Sequence, residues 1–255
     1  MEDWQLVALA VKYGGNYHKI YQAIKDKEDI NPLSYKVDYI TINDLLYPEE
    51  FKSLRFPPFV LFYQGNINLL TKKKIAIVGS RNYSEYGAMI TKKIVNKLSD
   101  SWVIVSGMAK GIDKIAHQQA NQLGNSIGVL GCGIDRIYPK ENSELYKDMR
   151  NNQLLISEYP QDILPRRYHF PFRNRLIAAL GESLIVTEAG MQSGTMLTVN
   201  EAIELNKEVY VVPHPLTDQE SGCNYLIKQG ANVLTCIEDI EQLGDMFDKS
   251  KKIHY

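Results

Sequence analysis

From residue 74 to residue 236 the chain alternates short apolar runs with amphipathic stretches, and this alternation constrains the fold more than any other feature. "KIAIVGS", "WVIVSG", "SIGVLGCG", "QLLISEYP", "SLIVTEA", "EVYVVPH" and "ANVLTC" read as strands. Between them, "EYGAMITKKIVNKLS", "DKIAHQQANQL", "ENSELYKDMRNN", "FRNRLIAALG", "TMLTVNEAIELN" and "GCNYLIKQG" read as helices. Strands apolar at nearly every position need cover on both faces. The pattern therefore predicts an α/β fold, a mostly parallel sheet with helices on both sides. In such sheets ligands bind beyond the carboxyl ends of the strands, so the residues following each strand are the first candidates for a site.

The N-terminal part reads differently. Residues 3–12 and 16–25 look helical, with Gly14-Gly15 as the break and Asn16 as an N-cap, and Asn31-Pro32 closes the pair. Asn43 stands where it can cap "DLLYPEEF". At "FPPFVLFYQG" the character changes to two prolines, a short apolar strand and a glycine. The expected organisation is a small all-α module over 1–55, a linker and first strand over 56–71, the sheet domain over 72–240, and a short tail over 241–255 with no room for a winged helix. The helical module reads as a packing unit with no site of its own.

At 255 residues with 44% apolar and 23% charged content, the chain suits a soluble globule of one α/β domain plus an appendage. A net charge of −1 argues against a generally basic nucleic-acid binder, but not against one with its positive charge on a single face. Cys132, Cys223 and Cys236 form no CxxC, and His117, His169 and His214 lack ligand spacing. No disulfide framework, metal site or cofactor is expected, and a reducing cytoplasm suits the chain. "MEDWQLVALAVKYGG" is acidic at its start and too short in apolar residues for a signal peptide. No membrane partner is expected.

The strand ends share one chemistry. After the first comes Gly79-Ser80-Arg81, with a helix beginning near Ser84 whose amides can face an anion; after the second, Ser106 and Gly107 with Lys110 and Gly111; after the third, Gly131, Gly133, Arg136 and Lys140. Three neighbouring glycine turns, each with a cation, predict an anion-binding rim. "TEAGMQSGTMLT" adds Ser193, Gly194 and Thr195 at a further helix start. The first turn, "GSRNYS", lacks the G-x-G-x-x-G of a dinucleotide fold, and no G-x-x-x-x-G-K-[ST] element is present. NAD and ATP lose their main support. "PRRYHFPFRNR" interleaves Arg166, Arg167, Arg173 and Arg175 with Tyr168, His169, Phe170 and Phe172. Such a segment suits an unpaired strand, arginines on phosphates and rings on bases. Its alternative is a buried one, the phenylalanines in the core and Arg175 paired to Glu158 or Glu188. Glu188 reads as a catalytic carboxylate or, preferably, as an ion-pair partner of Arg173 or Arg175.

"VGSRNYSEYG", "VSGMAKGIDKIAH", "GVLGCGIDRIYPKEN", "LISEYP", "FPFRNRLIAAL", "VTEAGMQSGTMLT" and "GCNYLIKQGA" occur in the order and with nearly the spacing of the DprA/Smf family (DNA-processing protein A). The resemblance spans about residues 56–236. It implies an extended Rossmann-like domain, preceded by a helical, SAM-like module that would suit 1–55. It implies single-stranded DNA as ligand, no catalytic turnover, protection of incoming DNA during natural transformation, loading of the RecA recombinase, and a homodimer. A competence regulator is left open as a further partner. Carried over by motif, Arg81, Lys140 and Asn142 resemble DNA contacts. Gly79, Ser80, Ser106, Gly107, Lys110 and Gly133 are similar to the phosphate-cradling wall, and Arg173, Asn174 and Arg175 to its floor, with Ser193, Gly194 and Thr195 beside it. Cys223, Tyr225, Leu226, Ile227, Gly230 and Val233 are similar to the dimer edge. Pro213-His214-Pro215 departs from the family's Pro-Gly. The rival is an enzyme: "SGT" and "FRNR" more loosely resemble nucleoside-monophosphate phosphoribohydrolases. Their motif glutamate is Thr198 here, and Glu201 lies three residues on, facing another direction.

Overall fold

A computed structural model describes residues 1–218, 220–240 and 243; the expected tail of 241–255 lies, Leu243 apart, outside them. The first part holds α1 (Asp3–Lys12), α2 (Tyr17–Lys25), β1 (Tyr39–Thr41), α3 (Glu49–Lys52) and β2 (Val60–Gly65). The alternating part holds β3 (Lys74–Gly79), α4 (Glu85–Leu98), β4 (Val103–Gly107), α5 (Ile112–Leu123), β5 (Asn125–Val129), α6 (Ser143–Asn152) and β6 (Leu154–Ser157). It continues with α7 (His169–Leu180), β7 (Leu184–Glu188), α8 (Gly194–Glu204), β8 (Val209–Val211), α9 (Gly222–Lys228) and β9 (Asn232–Val233).

Among the described residues the strands form one nine-stranded sheet in the order β1-β2-β6-β5-β4-β3-β7-β8-β9. From β6 to β9 every pair is parallel, whereas β2 runs antiparallel to both β6 and β1. The expected α/β class is borne out, and its physical cause is visible in β3. Ile75 and Ile77 point into one apolar layer with Ile94 and Val95 of α4 and Ile112 and Ala116 of α5. Ala76 and Val78, one residue out of phase, point into the other with Leu176 and Leu180 of α7 and Val199 of α8.

The first 55 residues are not all-helical as expected. Tyr39–Thr41 pairs with β2 and extends the sheet by its edge strand. Three residues are too few to show a period, so the strand is defined by its partner. Leu6, Leu9 and Ile20 of the first two helices share a buried cluster with Phe62 of β2, Leu155 of β6 and Met149 of α6. Asn43 does not cap the following turn; its amide donates to Asp3 Oδ1 at 2.8 Å. Asn16 does cap α2, accepting from Lys19 N at 3.1 Å.

Candidate nucleic-acid interface

The order reverses at β3: the chain leaves it by α4 to reach β4 on one side and returns by α7 to β7 on the other. Beyond the carboxyl ends of these strands lies a cleft of about 570 Å³. Gly79, Ser80 and Arg81 line one side, Ser193, Gly194 and Thr195 another, and Arg173 and Asn174 the floor. Residues far apart in the chain thus meet there because their strands end together.

Four helices, α4, α5, α7 and α8, begin near this rim, and a helix start carries amides without intrahelical acceptors. Two of the starts are already supplied with a carboxylate of the chain itself. At α4, the Glu188 carboxylate accepts from Ser84 N and Ser84 Oγ, each at 3.0 Å, and Ser84 Oγ accepts from Gly87 N at 3.0 Å. The expected pairing of Glu188 with Arg173 or Arg175 does not form, because the strand carries Glu188 to the start of α4 instead. At α5, buried Asp113 places a second carboxylate in the first turn. The start of α8 is different. Its N-cap Ser193 caps none of the following amides, and the Ser193 Oγ is buried without a partner. Among the described residues the start of α8 therefore carries amides with no side-chain acceptor, the kind of place where an anion can bind.

The cations sort by burial. Arg81 and Arg167 line the cleft, are exposed, and have no hydrogen-bond or ion-pair partner among the described residues. Lys140 is likewise exposed and unpaired, but does not line the cleft. Lys110 is exposed and pairs with Glu141, whereas Arg136 pairs with Asp135 and Asp162. Arg173 is buried under the cleft and donates to the Val129 carbonyl and, at 3.2 Å, to Asn174 Oδ1. Gly107 has no Cβ for a physical reason: one would sit 2.6 Å from Asp113 Oδ2 and 2.7 Å from an Arg173 nitrogen. Burial pushes the Asp113 carboxyl up and the Arg173 guanidinium down, each opposed by the other's charge.

Arg175 turns away. It is buried, pairs with Glu158, and directs its remaining N–H groups to the Phe56 and Phe172 carbonyls. All five N–H groups of the guanidinium are engaged, so Arg175 has no free N–H for a phosphate, contrary to its expected place on the floor.

Three other expected residues act from behind. Ser106 Oγ donates to Ile77 O at 2.6 Å, and buried Asn142 donates to Met108 O and Ala109 O at 3.0 and 3.2 Å. Gly133 is buried, its N–H on Ile163 O at 2.8 Å. Ser106 and Asn142 fix the segments that lead to Arg81 and Lys110, Gly133 ties two other loops together, and none of the three lines the cleft. Tyr138 lines the cleft and was not among the expected contacts, whereas Arg167 and Phe170, read in the basic segment as suited to an unpaired strand, line it as well. The signal for Arg167 and Phe170 was present in "PRRYHFPFRNR". Tyr138 had none, since its ring tilts against Phe170 only after the chain folds, at a centroid distance of 5.3 Å.

At the far edge, Cys223 and Leu226 of the expected dimer edge are buried. Tyr225, Gly230 and Val233 are exposed and Ile227 is half-buried, beside edge strand β9. The loop at Pro213-His214-Pro215 is held by His214, whose N–H donates to Asn224 Oδ1 and whose ring Nε2 meets Thr187 O, both at 3.0 Å.

A family model described as DNA recombination-mediator protein A matches residues 38–244. The chain belongs to this family. It is 42% identical over 207 residues to the DNA processing protein DprA of Streptococcus pneumoniae, covering 80% of this chain and 73% of that protein. Against the Bacillus subtilis DprA it is 41% identical over 211 residues, 80% and 70% of the two chains. The X-ray structure of the S. pneumoniae DprA superposes with a TM-score of 0.78 at 35% identity, over 92% of this chain and 91% of that one. A Helicobacter pylori DNA processing protein A, described for its single-stranded DNA binding mode, gives 0.76 at 33% identity, over 82% and 97%. The expected family and its Rossmann-like fold are both borne out.

Proposed function

We propose that this chain binds single-stranded DNA without catalytic turnover, its cleft holding backbone phosphates, and that as a homodimer it loads a RecA-type recombinase onto the bound strand. The observation that carries the DNA reading is the unfilled start of α8. The chain's own carboxylates supply the starts of α4 and α5, while Ser193 Oγ is buried and unpartnered opposite the free guanidinium of Arg81. Arg167 adds a second free cation and Tyr138 and Phe170 add rings, the combination that suits an unpaired strand. The H. pylori relative, described for single-stranded DNA binding, supports the same ligand. Recombinase loading and self-association rest on the family resemblance, with Tyr225, Ile227, Gly230 and Val233 offering the accessible part of the dimer edge. Absence of turnover is supported by Glu188, which is tied to Ser84, and by Thr198 standing where the hydrolase motif has its glutamate.

The test is anisotropy of a labelled single-stranded oligonucleotide against salt, with duplex as competitor. A few phosphate contacts give a log–log slope of roughly −2 to −4, at about −0.7 per neutralised phosphate. Arg81→Ala weakens binding and makes the slope shallower by about 0.7. Absence of binding at low salt, or an Arg81→Ala variant indistinguishable from wild type, would overturn the reading. Release of free base from AMP would turn it to the hydrolase.

A further inference from the structure

The segment that begins α7 separates two cavities. Arg167, Phe170 and Pro171 line the cleft, whereas Arg166, Tyr168, His169 and Phe172 line a second cavity of about 520 Å³. The opposite wall of that cavity, residues 13–19, is the turn between α1 and α2 together with the beginning of α2. Its size falls within the range of small-ligand sites. Tyr13, Tyr17, Tyr159 and Phe172 bring ring surface to it, and Tyr168 stands at its edge, 62% exposed. No carboxylate lines it, while Arg166 and Lys19 do; both are exposed and have no side-chain partner among the described residues. His169 is buried, and among the described residues its Nδ1 has no partner.

We propose that this second cavity receives an unpaired base of the same strand whose phosphates occupy the cleft. The proposal rests on the DNA reading above and extends it to the N-terminal helices. Continuity argues for it: Arg167 faces one cavity and its neighbours Arg166 and Tyr168 the other, and adjacent Cα atoms are ~3.8 Å apart. A strand leaving the cleft across these residues keeps a cation beside each phosphate and brings its next base to Tyr168. Rings accept any base by its face, and the unpartnered His169 Nδ1 offers a polar partner to the base edge.

The experiment measures binding of oligothymidylates of about 3 to about 15 nucleotides to wild type, Tyr168→Ala, Arg166→Gln and Arg81→Ala. Tyr168→Ala weakens the long strands by roughly 5- to 150-fold, the measured range for loss of one stacked base, and leaves the shortest unchanged. An abasic long strand removes that difference between wild type and Tyr168→Ala. Arg166→Gln lowers the salt slope by about 0.7 for long strands only. Arg81→Ala weakens every length. Equal effects of Tyr168→Ala on short, long and abasic strands, or no effect on any, overturn the proposal while Arg81→Ala still reports on the cleft. Saturable binding of thymidine monophosphate at the second cavity, with no dependence on strand length, also overturns it, because the cavity then serves a free nucleotide.

Discussion

Arg175 and Glu158 provide the sharpest separation of structure from function in this protein. Their side chains are 4% and 3% exposed, joined at 2.6 Å and 2.9 Å, and Arg175 also donates to Phe56 O and Phe172 O. Removing one partner of a buried pair leaves the other charge without compensation, at a cost of about 3–5 kcal/mol. Glu158→Gln keeps the shape and removes the charge. At a urea slope of about 3 kcal/mol/M, the midpoint falls by about 1–1.7 M. Arg175→Met destabilises to a similar extent, since it strips donors from two buried carbonyls as well. Urea titration followed by circular dichroism reads both. In conditions where each variant is fully folded, its affinity for single-stranded DNA stays within about twofold of wild type, because no N–H of Arg175 is free to reach a phosphate. Arg81→Ala is the mirror image, stable and weak in binding. If Arg175→Met weakens DNA binding with its urea midpoint intact, the inward placement of Arg175 is wrong as an account of its role.

Two further outcomes follow from the loops behind the cleft. Gly111 has φ +83°, and a Cβ there would lie 2.2 Å from Ser80 O, so Gly111→Ala is expected to cost more than about 1 kcal/mol and to weaken DNA binding by displacing Arg81; normal stability and affinity would refute this. Burial lowers the His117 pKa to about 4. The unfolded chain, titrating near 6.5, therefore binds the proton first. Stability present above about pH 6.5 is lost as pH falls towards 4, by about 3 kcal/mol for this group. His117→Gln flattens that part of the stability–pH curve in urea titrations at pH 7 and pH 4.5; an unchanged slope refutes the assignment.

The alternation of apolar runs with amphipathic stretches determined the sheet, because a strand apolar on both faces has no stable place except between two helical layers. Gly79 and Ser193 were legible as cleft residues for a similar reason, since one ends a strand and the other opens a helix. Which charges face the ligand was decided by contacts that sequence spacing does not encode. Arg173 and Arg175 look the same as Arg166 and Arg167 in "PRRYHFPFRNR". Helix α7, however, is covered by the sheet and α8 from Arg173 onward, so its charged residues need internal partners. Arg175 finds them 17 residues upstream at Glu158 and 119 residues upstream at Phe56. The turn from β3 into α4, within "IAIVGSRNYSEYGAMI", illustrates the same division. Its shape was local and readable, but the carboxylate that supplies its helix start is Glu188, 104 residues beyond Ser84. Only the packing of β3 against β7 brings the two together, while the start of α8 has no carboxylate in its first turn.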